Sequence, residues 1–341
     1  MPLPEVTTSE AAFKMLKLSE LRFLWWNVCN FAHFEPTRAS FDRWPNSQAM
    51  FEAKLRRIED ALAAMYGERL PELIGFCEIT RKAAEALQST RLRNYEVIFS
   101  QPNDENDFQI VVFFNKSVGF SRRPPVFAID VPDATRPMLI IELIRFDCHI
   151  RFAFCHWPAF DKDVSQENRG RVADALRGDV YEFMMPSESP EVPRNYIALG
   201  DFNTEPFDEL FERKLYAFRD RERSRQKPHH SDADVRRVRL YNCGWRHLGE
   251  KHPHALDVVS NGQAGTYYQT SKRIWHTYDQ VLVTGGLLSE KPPALDESQL
   301  FVRTDTGIIY PDVNPKKFEF ENGIASGLSD HLPITGRIIL S

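Results

Sequence analysis

Apolar residues in this chain gather in short runs bounded by turn formers, a pattern that predicts many strands and few helices. Strands are expected over Leu21–Val28, Leu73–Cys77, Tyr95–Phe99, Phe108–Phe114, Leu139–Phe146, His149–Cys155, Tyr196–Leu199, Gln280–Val283 and Gly336–Leu340. The run from Met138 to Phe154 is broken by Glu142, Arg145, Asp147, His149 and Arg151. It therefore reads as two core strands joined at Asp147, not as a lipid-binding surface. Ser47–Gly67 follows a different period. Phe51, Leu55, Ile58, Leu62 and Met65 step by three and four, which places them on one helical stripe, and Gly67 suits the stop. A second helix is expected from about Gln166 to Met184, burying Val172, Leu176, Val180 and Phe183. A third should start near Pro206 and carry Phe207, Leu210, Phe211 and Phe218.

Composition narrows the class. The chain has 341 residues, 42% of them hydrophobic and 27% charged, enough to bury a normal core. A net charge of −5 argues against coating nucleic acid through bulk charge, yet leaves room for a locally basic cleft. Met1 to Glu20 shows no basic start, apolar core and small-residue cleavage site, which argues against a secretory leader. No uncharged apolar stretch is long enough to span a membrane. Five cysteines without C-x-x-C spacing fit a reducing compartment, so a cytoplasmic protein is expected. No repeat or low-complexity linker divides the sequence, and the polar candidates described next are spread almost end to end. A single domain over 1–341 is expected, with an N-terminal extension over 1–20 and a basic insertion at about 205–250. The sequence sets no oligomeric state.

The chemistry concentrates at strand ends. Gly200-Asp201-Phe202-Asn203 follows the apolar run Tyr196–Leu199, and alternation puts Asp201 and Asn203 on one face of an extended chain. Ser329-Asp330-His331 sets a carboxylate beside an imidazole. Trp26-Asn27, Gly75-Phe76-Cys77-Glu78, Cys155-His156-Trp157 and Tyr278-Asp279-Gln280 also fall at the ends of predicted strands, where loops gather polar groups over a rigid base. Each has a plain structural reading when taken alone. Asp201-x-Asn203 would be an Asx turn, Glu78 an exposed strand-end charge and His156 a satisfied strand-end histidine. Cys243, His247, His252 and His254 fit no regular zinc spacing.

In this order, these segments resemble the endonuclease/exonuclease/phosphatase superfamily over roughly Leu21 to Leu340. The resemblance implies an α/β fold: a four-layer sandwich of two mostly antiparallel β-sheets flanked by helices, with the site at one edge. It also implies Mg²⁺ or Mn²⁺, held by Glu78 and Asn27 with Asp330 assisting; hard oxygen donors suit those ions. Asp279 and His331 would form a carboxylate–imidazole pair beside the scissile phosphorus. Asp201 and Asn203 would sit near the attacking water and the nonbridging oxygens, and the proton acceptor is either Asp201 or His331. His156 would donate to a phosphate oxygen or to the leaving group. Trp157 and Arg169 resemble a bacterial subset with a His-Trp-Pro start and an arginine-bearing helix, and are expected at the substrate. Two positions depart from the pattern. Cys77 precedes Glu78 where many relatives carry glutamine, and Gln280 follows Asp279 where nucleases often carry tyrosine.

The expected reaction is metal-dependent phosphoester hydrolysis by in-line attack of water. A nuclease acting on DNA or RNA is the first reading. Arg213–Arg246 holds eleven Lys/Arg against four Asp/Glu, with Tyr241 and Trp245 among them, which would suit a phosphate-tracking arm. A solvated basic helix and loop is the bland reading of that stretch. A phosphatase or phosphodiesterase acting on a small or lipid phosphate is the alternative, and a non-catalytic binding member the third.

Overall fold

Strand β1 (Glu20–Phe31) is apolar on both faces: Phe23 and Trp25 alternate with Leu24 and Trp26, and all four are fully buried. Such a strand needs cover on both sides, so it belongs in the middle of a layered structure. The computed structural model describes residues 19–101, 107–115, 121–129, 137–145, 148–159, 163–185, 193–226, 238–249, 263–304 and 314–341. Most of the expected N-terminal extension, the joint at Asp147, and His252 and His254 lie outside the described residues.

The first sheet combines β1 with β2 (Leu73–Ile79), β3 (Tyr95–Phe99), β4 (Gln109–Asn115), β14 (Ala294–Leu295), β15 (Phe301–Val302) and β18 (Ile334–Ile339). Its order is β14-β18-β1-β2-β4-β3, with β15 also on β18, and β1–β2 is its parallel pair. The second sheet holds β5 (Ser121–Ile129), β6 (Met138–Arg145), β7 (Cys148–His156), β8 (Arg194–Asp201), β9 (Ala217–Phe218), β10 (Leu240–Asn242) and β13 (Asp279–Thr284). Its order is β5-β6-β7-β8-β13-β10-β9, parallel at β7–β8 and β9–β10 and antiparallel elsewhere. Two small hairpins, β11 (Tyr267–Gln269) with β12 (Ile274–His276) and β16 (Glu319–Glu321) with β17 (Ile324–Ser326), stand apart from both.

Aromatic rings join the two sheets. Phe23 meets Phe152 at 6.3 Å between ring centroids, and Trp25 meets Phe154 at 6.2 Å. Such pairs add about 0.5–1.5 kcal/mol each beyond the area they bury. Gly75 makes the approach possible, because a Cβ there would lie 2.7 Å from the Phe154 ring. Helix α1 (Gln48–Tyr66) is capped by the Ser47 side chain, which accepts from Met50 N–H, and by Gly67 at φ 56°. It packs with α2 (Arg81–Thr90) on the outer side of the first sheet through Phe51, Ile58, Leu62 and Leu87. Helix α3 (Asp163–Met184) covers the second sheet, setting Val172, Leu176, Val180 and Phe183 against Ile140, Ala153, Tyr196 and Ala198. The result is the four-layer α/β sandwich.

The expected third helix is much shorter. It spans Glu209–Arg213, and Phe207 is 63% exposed. Tyr216 turns the chain at φ 51°, so Phe218 enters β9 instead of extending a helical stripe. Helix α2 and strand β5 were not anticipated from the pattern. Strand β5 carries Arg122, Arg123, Pro124 and Pro125, which mask its period.

Candidate active site

Three polar residues stand side by side across the second sheet. His156 pairs in register with Asp201, and Asp201 with Asp279, so β7, β8 and β13 present them in one row. All three are buried. The close approach of the strands depends on Gly200, where a Cβ would meet the Cys155 carbonyl oxygen at 2.1 Å. Opposite, β1 follows its own alternation: Phe23 and Trp25 point into the sandwich, and Asn27, next on that face, emerges at its edge.

The ends of β1 and β2 leave regular pairing together. Their register shifts between Asn27 and Phe31, and Cys29, Asn30 and Glu78 all take positive φ (48°, 56° and 57°). Left-handed backbone at non-glycine residues is costly and persists where surrounding bonds hold it. Here Asn30 N–H donates to Glu78 Oε2 at 3.0 Å, and Cys29 N–H donates to Asn27 Oδ1 at 2.9 Å. Asn203, at φ 47°, is held likewise: its N–H donates to Asp201 Oδ1 at 2.9 Å and its side-chain amide to the Trp157 carbonyl at 2.9 Å.

These pieces converge on Asp201 Oδ2. The Asn27 amide donates to it at 3.0 Å, and Nε2 of both His156 and His331 lies 3.8 Å away. Glu78 Oε1 is 3.4 Å from the Asn27 amide and 3.7 Å from His156 Nε2. His331 is oriented from behind, its Nδ1 lying 2.8 Å from Asp279 Oδ2. Asp279 is anchored in turn by the Trp25 indole N–H at 2.9 Å and accepts at both carboxylate oxygens. Ser329 ties the loop down: its hydroxyl donates to the Asn27 carbonyl at 2.7 Å and accepts from His331 N–H at 3.0 Å. Behind His331, the Tyr267 ring lies tilted at 4.6 Å and stacks in turn on Tyr278 at 5.4 Å.

Burial governs the charges. It pushes the Asp201 carboxyl up to about 7, assisted by Asp279 and opposed by His331 and the amide donors. Burial works the other way on His331, but the carboxylates of Asp279 and Asp201 outweigh it and raise the imidazole to about 10. The surrounding carboxylates thus favour the protonated imidazole of His331, and burial favours a protonated Asp201 when no cation is bound.

The donor set also fits a hard divalent cation. Asp201, Asp279 and His331 offer ligand atoms within 4.8 Å of one another. All three carboxylates already accept hydrogen bonds, Asp279 from Trp25 with His331 beside it, Asp201 from Asn27 and Asn203, and Glu78 from Asn30 and Asn27; the Glu78 side chain is the most accessible of them. Two such groups sharing one Asn27 amide accumulate negative charge that a cation offsets.

Some sequence expectations change here. Trp157 was expected at the substrate, but it is 1% exposed and packs on Phe202 and Phe211 in the core under α3. Arg169 was also expected there. It is equally buried, and its guanidinium donates to the Asn203 carbonyl at 3.1 Å and to the Thr204 hydroxyl at 3.3 Å. It braces the Asn203 turn instead. Asp330 lies against Lys317, 3.3 Å away. The basic stretch is largely neutralised: Arg213, Arg221, Arg223, Arg225 and Arg246 pair with Glu209, Glu297, Glu212, Glu222 and Glu297 respectively. That supports the solvated reading of these residues, while 227–237 lie outside the described residues. Trp25 was missed, although its place two residues before Asn27 on the same strand face marks it.

The edge of a two-sheet sandwich, lined by Asn, Glu, Asp and His from both layers, defines a phosphoester-hydrolase type of site. The chain belongs to the Endonuclease/Exonuclease/phosphatase family, whose sequence model matches residues 31–231. Enzymes of this family typically use divalent metals. Solved structures share the fold. D. rerio TDP2 complexed with a single-strand DNA product superposes with a TM-score of 0.55 at 14% identity, covering 94% of this chain and 99% of that one. Staphylococcus aureus beta toxin gives 0.54 at 12%, covering 93% and 99%, and the human nocturnin catalytic domain with bound sulfate 0.50 at 14%, covering 95% of each. A comparison with curated protein sequences found no match.

Proposed function

We propose that the protein is a divalent-metal-dependent phosphodiesterase that cleaves nucleic acid by in-line attack of water. The observation that carries this reading is the convergence on Asp201 Oδ2 of Asn27, His156 and His331, at 3.0 to 3.8 Å and from both sheets. Glu78 and Asn27 would hold Mg²⁺ or Mn²⁺ beside Asp201, and the bound cation would supply charge neutralisation at the phosphoryl oxygens. Asp201, with its carboxyl near 7, accepts the proton of the attacking water. His331 is charged at that pH and donates to a nonbridging oxygen, stabilising the charge that builds in the transition state. Asp279 fixes the ring's direction and keeps it protonated. Asn203, its turn braced by Arg169, holds Asp201 through its backbone N–H, and His156 would act as donor to phosphate or leaving group.

Nucleic acid is preferred over a small phosphate ester because aromatic rings flank the site, Tyr267 and Tyr278 among them, and TDP2 of the same fold is seen with a DNA product. The test is a substrate panel with and without Mg²⁺: single- and double-stranded DNA, RNA, soluble phosphomonoesters and lipid phosphates. Hydrolysis of a nucleic acid that disappears with chelator and with Asp201→Ala is expected. Turnover confined to small or lipid phosphates would overturn the nuclease reading.

A further inference from the structure

The apolar stripe of α1 carries a buried charge. Lys54 sits between Phe51 and Ile58 on the face turned to the first sheet and is 6% exposed. Leu55, its neighbour in sequence, is only partly buried. An ammonium is costly to bury, so a hydrocarbon side chain would serve packing better at this position. Lys54 makes a bond there instead. It donates to the carbonyl of Cys29, and the Phe318 ring lies 5.5 Å from Nζ. One helical turn further on, Arg57 donates through Nε to the carbonyl of Gly327 at 2.7 Å.

Both acceptors belong to residues in the left-handed region, Cys29 at φ 48° and Gly327 at φ 64°. Each also stands two residues from a member of the site, Cys29 after Asn27 and Gly327 before Ser329. On the Cys29 side, the next N–H in the chain, that of Asn30, donates to Glu78 Oε2 at 3.0 Å. On the Gly327 side, Ser329 accepts from His331 N–H at 3.0 Å and donates to the Asn27 carbonyl at 2.7 Å. One helix therefore grips the backbone beneath Glu78 and the backbone leading to His331, and Ser329 joins the two. Left-handed backbone at a non-glycine residue persists only where its surroundings hold it. With the Cys29 carbonyl released, the Asn30 N–H would lose its aim on Glu78.

We propose that Lys54 and Arg57 are positioning residues: through the carbonyls of Cys29 and Gly327, α1 fixes Glu78 and His331 relative to one another. Both act through the loops and not on substrate. The catalytic consequence rests on the phosphodiesterase reading, whereas the clamp itself does not.

Two measurements on the full chain test it. The first needs no turnover. Amide hydrogen exchange in chelator should accelerate at Asn30 in Lys54→Met and at His331 in Arg57→Met, at least tenfold more than at Trp25 and Leu199 in the same variant. Arg57→Lys, which keeps a cation and a donor, should bring His331 exchange back to within threefold of wild type. In the second, kcat for bis(4-nitrophenyl) phosphate with Mg²⁺ should fall at least tenfold in each Met variant while KM changes less than threefold, and Arg57→Lys should recover most of that loss. Exchange that stays at wild-type rates, or rises equally at all four amides, would overturn the clamp. Retained kcat in both Met variants would overturn its role in positioning. Arg57 is only partly buried, so its variants decide the matter should Lys54→Met fail to fold. If exchange changes as described but the wild type cleaves no phosphodiester, the hydrolytic reading fails and the clamp stands.

Discussion

Trp25 and Asp279 lie on opposite sheets, yet the indole Nε1 donates to the carboxylate at 2.9 Å, while the other oxygen of Asp279 faces His331. One bond therefore ties the imidazole of the second sheet to the spine of the first. Trp25→Phe keeps most of the packing and removes that donor. The expected loss is about 1–3 kcal/mol of stability in denaturant unfolding, with a reduced kcat. Asp279→Asn, which spoils the orientation of the ring, should slow turnover roughly 10²–10⁴-fold with little change in fold by circular dichroism. Near-normal activity in Asp279→Asn would remove His331 from the mechanism.

Glu78→Gln deletes one charge from the pair that shares the Asn27 amide. Calorimetric titration should then show Mg²⁺ affinity reduced at least ~10-fold, as is usual when a carboxylate ligand or its support is lost. Unchanged affinity would move the metal elsewhere.

The two raised pKa values set opposite limbs of the rate profile. kcat/KM should climb as pH passes about 7 and Asp201 ionises, then decline toward about 10 as His331 loses its proton. Stability without metal, by contrast, falls with rising pH through both groups. Both groups hold protons in the folded chain that the unfolded chain releases. The stabilisation from His331 is complete below its ordinary 6.5 and is lost as pH rises through about 10. Melting temperatures measured from pH 6 to 10 in chelator should fall more steeply for the wild type than for His331→Ala.

Gly200→Ala puts a methyl carbon 2.1 Å from the Cys155 carbonyl oxygen, and backbone cannot step aside cheaply. A loss of ~3 kcal/mol or failure to fold is expected, read by thermal unfolding. A melting temperature within a degree of wild type would contradict the packing of β7 on β8.

Arg169→Met removes the bonds to Asn203 and Thr204 while roughly keeping the volume. About 1–3 kcal/mol of stability should go, and kcat should fall more than KM changes, because Arg169 acts through the Asn203 turn and not on the substrate. An effect on KM alone would restore the substrate-contact reading.

The alternation of Phe23, Trp25 and Asn27, the stripe of α1 and the polar strand ends were all legible in the sequence, because strand and helix periods are local properties of the backbone. What Trp157 and Arg169 do was not. Their chemistry suits a surface contact, and only the packing of α3 on β8 turned them inward. Charge told the same story: the excess of Arg and Lys after Phe211 was plain, whereas partners such as Glu297 come from far along the chain. Sequence alone determined the elements and the kinds of functional group at their ends. The tertiary structure decided which of those groups meet, since distance and burial are set by contacts between residues hundreds of positions apart, as between Trp25 and Asp279.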